Sequence, residues 1–194
     1  MSSLTSSMRL GNQFVEQAIR YCVTTPHFAS NTDFDAEHAV NTGRFFVYAE
    51  HTPLWPDVQL ISQQFLSNFD SRYIREIRNE QYPHAFSCIY EEHGKKSRGV
   101  FKHIDDQASD GWYHLRINTL LQSADAGGDP IISNRMYTVK SGESWSLWAG
   151  RDLHSATPVQ GNTRRVLFSL GYHVTPEYVP NASNIIKDIV TYAT

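Results

Sequence analysis

The chain has 194 residues, with 17 Lys plus Arg against 20 Asp plus Glu and a formal net charge of -3. A length of about 200 residues fits one domain, and the slight negative charge argues against a nucleic-acid-binding protein, whose domains are usually basic. No window approaches the roughly 18 apolar residues of a membrane span, so we expect no membrane partner. Cys22 and Cys88 are too few for a disulfide framework, which predicts a reducing, cytoplasmic location.

The first half of the chain has the patterning of helices around one strand. Apolar residues at helical spacing predict an amphipathic helix over 11–23. The aromatic and β-branched run 44–48 predicts a strand. Asp57 has the character of an N-cap, so a second helix is expected to begin there.

After Pro83 short strands dominate. The predicted strands cover 85–90, 99–103, 112–121, 130–133, 136–140, 144–148 and 165–174. Short strands separated by turn signals at this cadence indicate a β-sandwich or barrel. Helices followed by strands define an α+β chain with a mainly β core covered by N-terminal helices.

His103 and Asp105 form the most informative pattern in the sequence. Residues i and i+2 of a strand project to the same side, so an imidazole and a carboxylate converge. His154, between the strands 144–148 and 165–174, is a candidate third ligand. Two His and one carboxylate suit non-haem Fe(II) oxygenases, but zinc hydrolases use the same set, and the ligands alone do not choose between them.

Arg165 begins an apolar strand, where a buried arginine is costly unless it is paired. Its planar guanidinium is suited to grip a ligand carboxylate through two hydrogen bonds. Ser169 shares its strand parity, whereas Arg164 points to the other face with bulky apolar side chains. We therefore prefer Arg165 as the ligand-binding arginine, with Arg164 as the alternate.

Taken together, the motifs from about residue 90 to 174 resemble those of the Fe(II)/2-oxoglutarate-dependent oxygenases, most closely the prolyl-4-hydroxylase-like branch. The matching residues, in order, are His103-Ile104-Asp105, Gly127-Gly128, the strand and turn 137–143, Leu153-His154-Ser155-Ala156-Thr157-Pro158-Val159, Gly161 and Arg165. The order and spacing of all these parts are far more specific than any one of them.

The resemblance implies a double-stranded β-helix, a jelly-roll or cupin-like barrel, in one oxygenase domain over 1–194. Its parts would be a helical support at about 8–82, a core at about 83–176 and a C-terminal helix at about 182–193. It also implies that His103, Asp105 and His154 bind iron, and that Arg165 pairs with the distal carboxylate of 2-oxoglutarate. Ser169 would add a hydrogen bond to the same carboxylate.

The implied activity is O2-dependent hydroxylation of an unactivated C–H bond, with release of succinate and CO2. A carboxylate at Asp105, rather than a small residue, favours hydroxylation over halogenation. The expected substrate is a small molecule or a peptidyl residue, such as an amino acid or an amino-acid-derived metabolite. The alternatives are a cupin-type metal-dependent hydrolase or isomerase, and a non-catalytic barrel that binds a ligand.

Several aromatic and charged residues are candidates for lining the mouth of the barrel. They are Tyr90, Arg98, Trp112, His114 and Trp148. Trp145 and Trp148 are three residues apart, so at most one of them points inward from a strand.

Overall fold

The structure is a computed structural model, and it describes residues 10–24, 44–67, 71–77, 83–91, 99–105 and 110–175. Two α-helices lie in these ranges, α1 at Asn12–Thr24 and α2 at Trp55–Leu66, with a 3-10 turn at Ala49–His51. Neither helix is long and apolar enough to cross a membrane.

Twelve strands lie in the same ranges. They are β1 Arg44–Tyr48, β2 Ile74–Glu76, β3 His84–Ile89, β4 Val100–His103, β5 Tyr113–Gln122, β6 Ala126–Gly127, β7 Pro130–Ile132, β8 Arg135–Met136, β9 Ser144–Leu147, β10 His154–Ala156, β11 Val159–Gln160 and β12 Arg165–Val174. The predicted mainly β core is therefore confirmed.

All strand pairs within the described ranges are antiparallel. The large sheet has the order β1-β3-β12-β5-β9, with β2 pairing the end of β12, and the small sheet has the order β4-β10-β7-β8. Strands β6 and β11 form a separate pair. In the described part of the chain the two sheets are distinct ladders rather than one closed ring.

The central strand β12 divides its side chains between two environments, because alternate residues face opposite sides of a sheet. Val166, Phe168 and Leu170 are fully buried in the main apolar cluster, together with residues of α1 and α2. Phe14 of α1 packs edge-on against Phe168 with ring centroids 5.4 Å apart. The helices therefore cover this face of the large sheet, and Cys22 and Cys88, both free thiols, are buried there as well.

Helix α2 begins three residues earlier than the predicted N-cap, Asp57, suggested. Its N-cap is Leu54, and Pro56 lies in the first turn, where the missing N–H of proline costs nothing. The Thr52 hydroxyl accepts the Leu54 N–H at 3.2 Å, which fixes the entry into the helix. Asp57 is not the cap but an acidic residue in the first turn, favourably placed against the helix dipole.

One predicted strand differs from the structure, and one predicted helix lies where the structure gives no description. Of the expected strand 136–140 only Met136 lies in a strand, the two-residue β8 at Arg135–Met136. The expected C-terminal helix at 182–193 lies outside the described residues. The domain boundaries at 8–82 and 83–176 stay predictions.

A buried histidine of β3 lies against α2, with its ring centroid 6.2 Å from that of Trp55. His84 is 1% exposed, and its Nδ1 accepts the N–H of Gly171 at 3.3 Å, so the neutral ring carries its proton on Nε2. Burial lowers the pKa of His84 to about 3, and the nearby positive charge of Arg116 acts in the same direction. Protonation would remove the acceptor that Gly171 uses.

We expect His84 to make the fold sensitive to acid. A histidine whose pKa is lower in the folded chain stabilises it above the unfolded pKa, about 6.5, and this stability is lost as the pH falls. Between pH 7 and pH 5 the loss from this residue is about 2 kcal/mol. Urea unfolding at both pH values should show a smaller acid-induced loss for His84→Asn, whose amide oxygen can replace the acceptor. The exposed His51 supplies the control His51→Asn, and equal losses for His84→Asn and the wild type would contradict the prediction.

Candidate metal centre

A cavity of about 440 Å³ lies between the large and small sheets. Side chains of His103, Asp105 and His154 enter it from the small sheet and the segment just after β4. Arg165 and Ser169 enter it from β12. The cavity therefore brings together residues that are far apart along the chain.

The two histidines meet because their strands pair. His103 ends β4 and His154 begins β10, and they are direct partners in the antiparallel ladder. Their ring centroids are 4.2 Å apart. The sequence placed His154 in a link between strands, whereas it lies on a short strand that the pattern did not reveal.

Asp105 completes a cluster of three metal-ligating groups. One atom from each of His103, Asp105 and His154 lies within 4.8 Å of the others. Asp105 Oδ1 is 3.3 Å from His103 Nε2 and 3.6 Å from His154 Nε2. The backbone N–H of Asp105 donates to the carbonyl of Ala149 at 2.8 Å, which anchors the segment after β4.

Backbone carbonyls orient both imidazoles. His103 Nδ1 lies 2.7 Å from the Phe101 carbonyl, and His154 Nδ1 lies 2.9 Å from the Asp152 carbonyl. A carbonyl only accepts, so each Nδ1 carries the proton, and the neutral form of each ring has its unprotonated nitrogen at Nε2, the atom that faces Asp105. Metal-binding histidines show the same arrangement, and this donor set fits a divalent metal ion.

Charge and burial keep Asp105 and His154 in the protonation states that a metal requires. Burial acts to raise the pKa of Asp105, but the neighbouring His103 side chain and the charge of Arg116 outweigh it and hold that pKa well below its ordinary value. Burial lowers the pKa of His154, although the hydrogen bond to the Asp152 carbonyl opposes this. At neutral pH the site therefore holds a carboxylate and a neutral imidazole.

Arg165 is 3% exposed and lines the cavity, with its guanidinium 6.0 Å from the ring centroid of Trp145. Ser169 is 6% exposed and lies on the same face of β12. The cavity thus contains a buried cation and a hydroxyl beside the metal-ligating cluster.

Hydrogen bonds to Asp125 stabilise the turn before β12. Its carboxylate accepts the N–H groups of Asn162 and Thr163 at 2.7 and 3.0 Å, and the Thr163 hydroxyl at 2.5 Å. This turn fixes where β12 begins and therefore which face Arg165 occupies.

Gly128 makes room for the Arg165 side chain. It has a φ of +77°, and a Cβ added there would lie 2.4 Å from Arg165 Cδ. The second glycine of the Gly127-Gly128 pair is thus part of the arginine's packing.

We expect Gly128→Ala to weaken binding of a carboxylate ligand at Arg165 by about tenfold or more, which corresponds to about 1.4 kcal/mol. The methyl group would push the side chain away from its position in the cavity. Gly111→Ala is the matched control, because Gly111 also has a positive φ, +82°, but nothing within 4 Å of its added Cβ. Binding measured by calorimetry with 2-oxoglutarate should separate the two variants, and equal affinities would refute the role of Gly128.

Arg164 lies on the other face of the large sheet. Its guanidinium is 4.6 Å from the ring centroid of Tyr90, and its positive charge opposes the burial that raises the pKa of Cys88 to about 12. The parity argument that preferred Arg165 to Arg164 therefore agrees with the geometry.

The four residues proposed for the barrel mouth that lie in the described ranges do not line the cavity. Tyr90 packs against the main apolar cluster beneath Arg164, and Trp148 is 1% exposed within that cluster. Trp112 lies against the guanidinium of Arg75 at 3.9 Å. His114 is buried beneath Asp105, and Arg98 lies outside the described residues.

Different residues of the large sheet line the cavity instead. They are Phe46, Tyr48, Ser87, Arg116, Asn118, Trp145, Leu147, Leu167 and the predicted pair Arg165 and Ser169. Trp145 faces the cavity and Trp148 the opposite core, as their spacing predicts. Arg116 and Asn118 were not among the candidates from the sequence. Their spacing of two residues could have indicated that they share one face, since alternate residues of β5 point to the same side of the sheet.

Solved structures share this architecture. HygX from Streptomyces hygroscopicus, with nickel and 2-oxoglutarate bound, has a TM-score of 0.55 at 11% identity, over 88% of this chain and 82% of that one. The viral collagen prolyl hydroxylase vCPH from Paramecium Bursaria Chlorella virus-1, a 2-oxoglutarate complex, gives 0.55 at 13% identity, over 87% and 94%. The non-haem α-ketoglutarate-dependent epimerase SnoN from nogalamycin biosynthesis gives 0.53 at 12%, over 97% and 89%.

By sequence, no family model and no curated protein matches the chain. The structural likeness nevertheless shows the fold: the chain has the architecture of 2-oxoglutarate-dependent non-haem iron enzymes. The resemblance seen in the sequence motifs is therefore confirmed at the level of the fold.

Proposed function

We propose that this chain is an Fe(II)- and 2-oxoglutarate-dependent dioxygenase that hydroxylates a C–H bond of a small substrate. One observation carries the proposal: three metal-ligating groups within 4.8 Å of one another share a cavity with the buried Arg165. A metal site alone suits many reactions, whereas an adjacent buried guanidinium is the feature that a dicarboxylate cosubstrate requires.

The proposed roles follow the geometry. His103, Asp105 and His154 would hold the iron through Nε2, Oδ1 and Nε2, leaving open positions for ligands. Arg165 would pair with the distal carboxylate of 2-oxoglutarate, and the Ser169 hydroxyl would donate to the same group. We further infer that the two sheets are the halves of a double-stranded β-helix in a single oxygenase domain.

Iron bound there would supply the redox chemistry, in which 2-oxoglutarate, O2 and R–H give succinate, CO2 and R–OH. The chain itself supplies position and apolar surface in the cavity. The carbonyls of Phe101 and Asp152 keep each Nδ1 protonated, so that both imidazoles present a lone pair. Trp145 and Leu167 form apolar cavity walls that limit the access of water to the reacting groups.

The substrate is proposed to be a small molecule that enters beside Phe46 and Tyr48 of β1, which supply aromatic surface to the cavity. Related architectures accept such compounds, since HygX has been solved with hygromycin B bound. An amino acid, an amino-acid-derived metabolite or a peptidyl residue is the class suggested by the prolyl-hydroxylase-like motifs.

Anaerobic titration of Fe(II) and 2-oxoglutarate tests the proposal without knowledge of the substrate. The binary complex should develop the weak visible charge-transfer band of an iron-bound 2-oxo acid. A succinate-release screen with ascorbate and a panel of amino acids and peptides then searches for the substrate. Metal binding with no response to 2-oxoglutarate would favour a metal-dependent hydrolase or isomerase instead.

A further inference from the structure

Arg116 is a second cavity-lining arginine, and its position is tightly specified. It lies on β5 opposite Gly171 of β12, and its side chain is 12% exposed. Its Nη1 donates to the carbonyl of Pro83 at 2.7 Å, while its Nε lies 3.8 Å from Asp105 Oδ2. One guanidinium thus connects the backbone before β3 to the carboxylate of the candidate metal centre.

Gly171 provides the path for this side chain. A Cβ added to Gly171 would lie 2.8 Å from Arg116 Nη1 and 2.4 Å from the Pro83 carbonyl oxygen. The guanidinium therefore lies across β12 over a residue that has no side chain.

The two oxygens of Asp105 have different surroundings. Oδ1 faces the Nε2 atoms of His103 and His154, at 3.3 and 3.6 Å. Oδ2 faces away from them, toward His114 Nδ1 at 3.7 Å and Arg116 Nε at 3.8 Å. The Asp105 carboxylate is thus oriented with one oxygen toward the imidazoles and the other toward the sheet.

We propose that Arg116 is a positioning residue that fixes the rotation of the Asp105 carboxylate, so that only Oδ1 is presented to the metal. The inference rests on the proposed function and adds to it a role for a residue outside the ligand set. A carboxylate that ligates through one oxygen leaves an additional coordination position for the cosubstrate or O2. Groups that orient metal ligands in this way change metal affinity by about 10- to 100-fold when they are removed.

A purely structural role is the competing explanation, because Arg116 also holds the Pro83 carbonyl. Such a role predicts a loss of apo-protein stability with unchanged metal binding in the molecules that stay folded. The positioning role predicts changed metal binding that does not follow stability. Arg116→Lys keeps a positive charge but lacks the planar guanidinium, so it should restore binding only in part.

The test titrates Co²⁺ alone, by calorimetry and visible absorption, into the apo forms of the wild type, Arg116→Met, Arg116→Gln and Arg116→Lys. Arg135→Met is the control, since Arg135 is exposed on β8, lies over Tyr137 and is not a lining residue of the cavity. We expect the dissociation constant to rise by about 10- to 100-fold for the methionine and glutamine variants, with a shifted Co²⁺ absorption band. The lysine variant should lie between them and the wild type, and Arg135→Met should match the wild type.

Thermal unfolding of each apo form accompanies the titration. Two results would overturn the role of Arg116. One is a Co²⁺ affinity within threefold of the wild type for every folded Arg116 variant. The other is a loss of Co²⁺ affinity that only follows the fall in unfolding temperature. Failure of the wild-type chain itself to bind Co²⁺ would overturn the proposed function together with this inference. If the wild type binds Co²⁺ and responds to 2-oxoglutarate but the Arg116 variants keep the wild-type Co²⁺ affinity, the role of Arg116 is wrong and the proposed function stands.

Discussion

Replacing His154 with alanine should abolish succinate formation and weaken metal binding by more than the about 10- to 100-fold expected for an orienting group. The reason is that His154 Nε2 is one of three donor atoms, and its ring is already held by the Asp152 carbonyl at 2.9 Å. An alanine at position 154 leaves only two candidate donor side chains, those of His103 and Asp105. Calorimetry with Ni²⁺ and a succinate assay with Fe(II) measure the two effects independently.

The control for His154→Ala is His51→Ala, which removes an exposed histidine from the 3-10 turn outside the cavity. It should keep both the metal affinity and succinate formation. Retained Ni²⁺ affinity in His154→Ala would show that the metal binds elsewhere, and the proposed site would then be wrong.

Replacing Arg165 with methionine should raise the dissociation constant of 2-oxoglutarate by about 100-fold or more. Two hydrogen bonds between a guanidinium and a carboxylate contribute about 1.5–3 kcal/mol each when they are charge-assisted, and about 1.4 kcal/mol corresponds to tenfold in affinity. Methionine retains much of the bulk beside Gly128 and Trp145 but supplies neither donors nor charge. The affinity is read from the anaerobic absorption titration with Fe(II).

A second ligand sharpens this experiment. The wild type should bind 2-oxobutyrate, which lacks the distal carboxylate, far more weakly than 2-oxoglutarate, whereas Arg165→Met should bind the two with similar affinity. Arg164→Met is the matched control, because its side chain lies on the opposite face of the sheet beside Tyr90. If Arg164→Met loses 2-oxoglutarate and Arg165→Met does not, the assignment is reversed.

The convergence of His103 and Asp105 at the candidate metal centre was predictable because the two residues are close together in the sequence. An H-x-D tripeptide places two donors on one side of an extended segment whatever the rest of the fold does. Likewise, alternation along one long strand separated Arg165 from Arg164, and the structure gives this strand the predicted bounds, Arg165–Val174.

The substrate side was not predictable because it depends on contacts between distant segments. Tyr90 and Trp148 are residue types that are common in binding surfaces. In the structure, however, both residues lie on the face of the large sheet that α1 and α2 cover. Phe46 and Tyr48 enter the cavity only because β1 pairs with β3 at the edge of the large sheet. Strand β10 is three residues long, too short for a period to be visible in its sequence.

His103 and His154 are direct partners in one ladder. This pairing limits where insertions and deletions can occur in the sequence without moving the two imidazoles apart. Segments between the two histidines can gain or lose residues without separating them, because the ladder rather than the contour length sets their distance. A slip of one residue between β4 and β10, by contrast, would turn one imidazole to the opposite face. Insertions and deletions during evolution should therefore accumulate in the connections and be excluded from these two short strands.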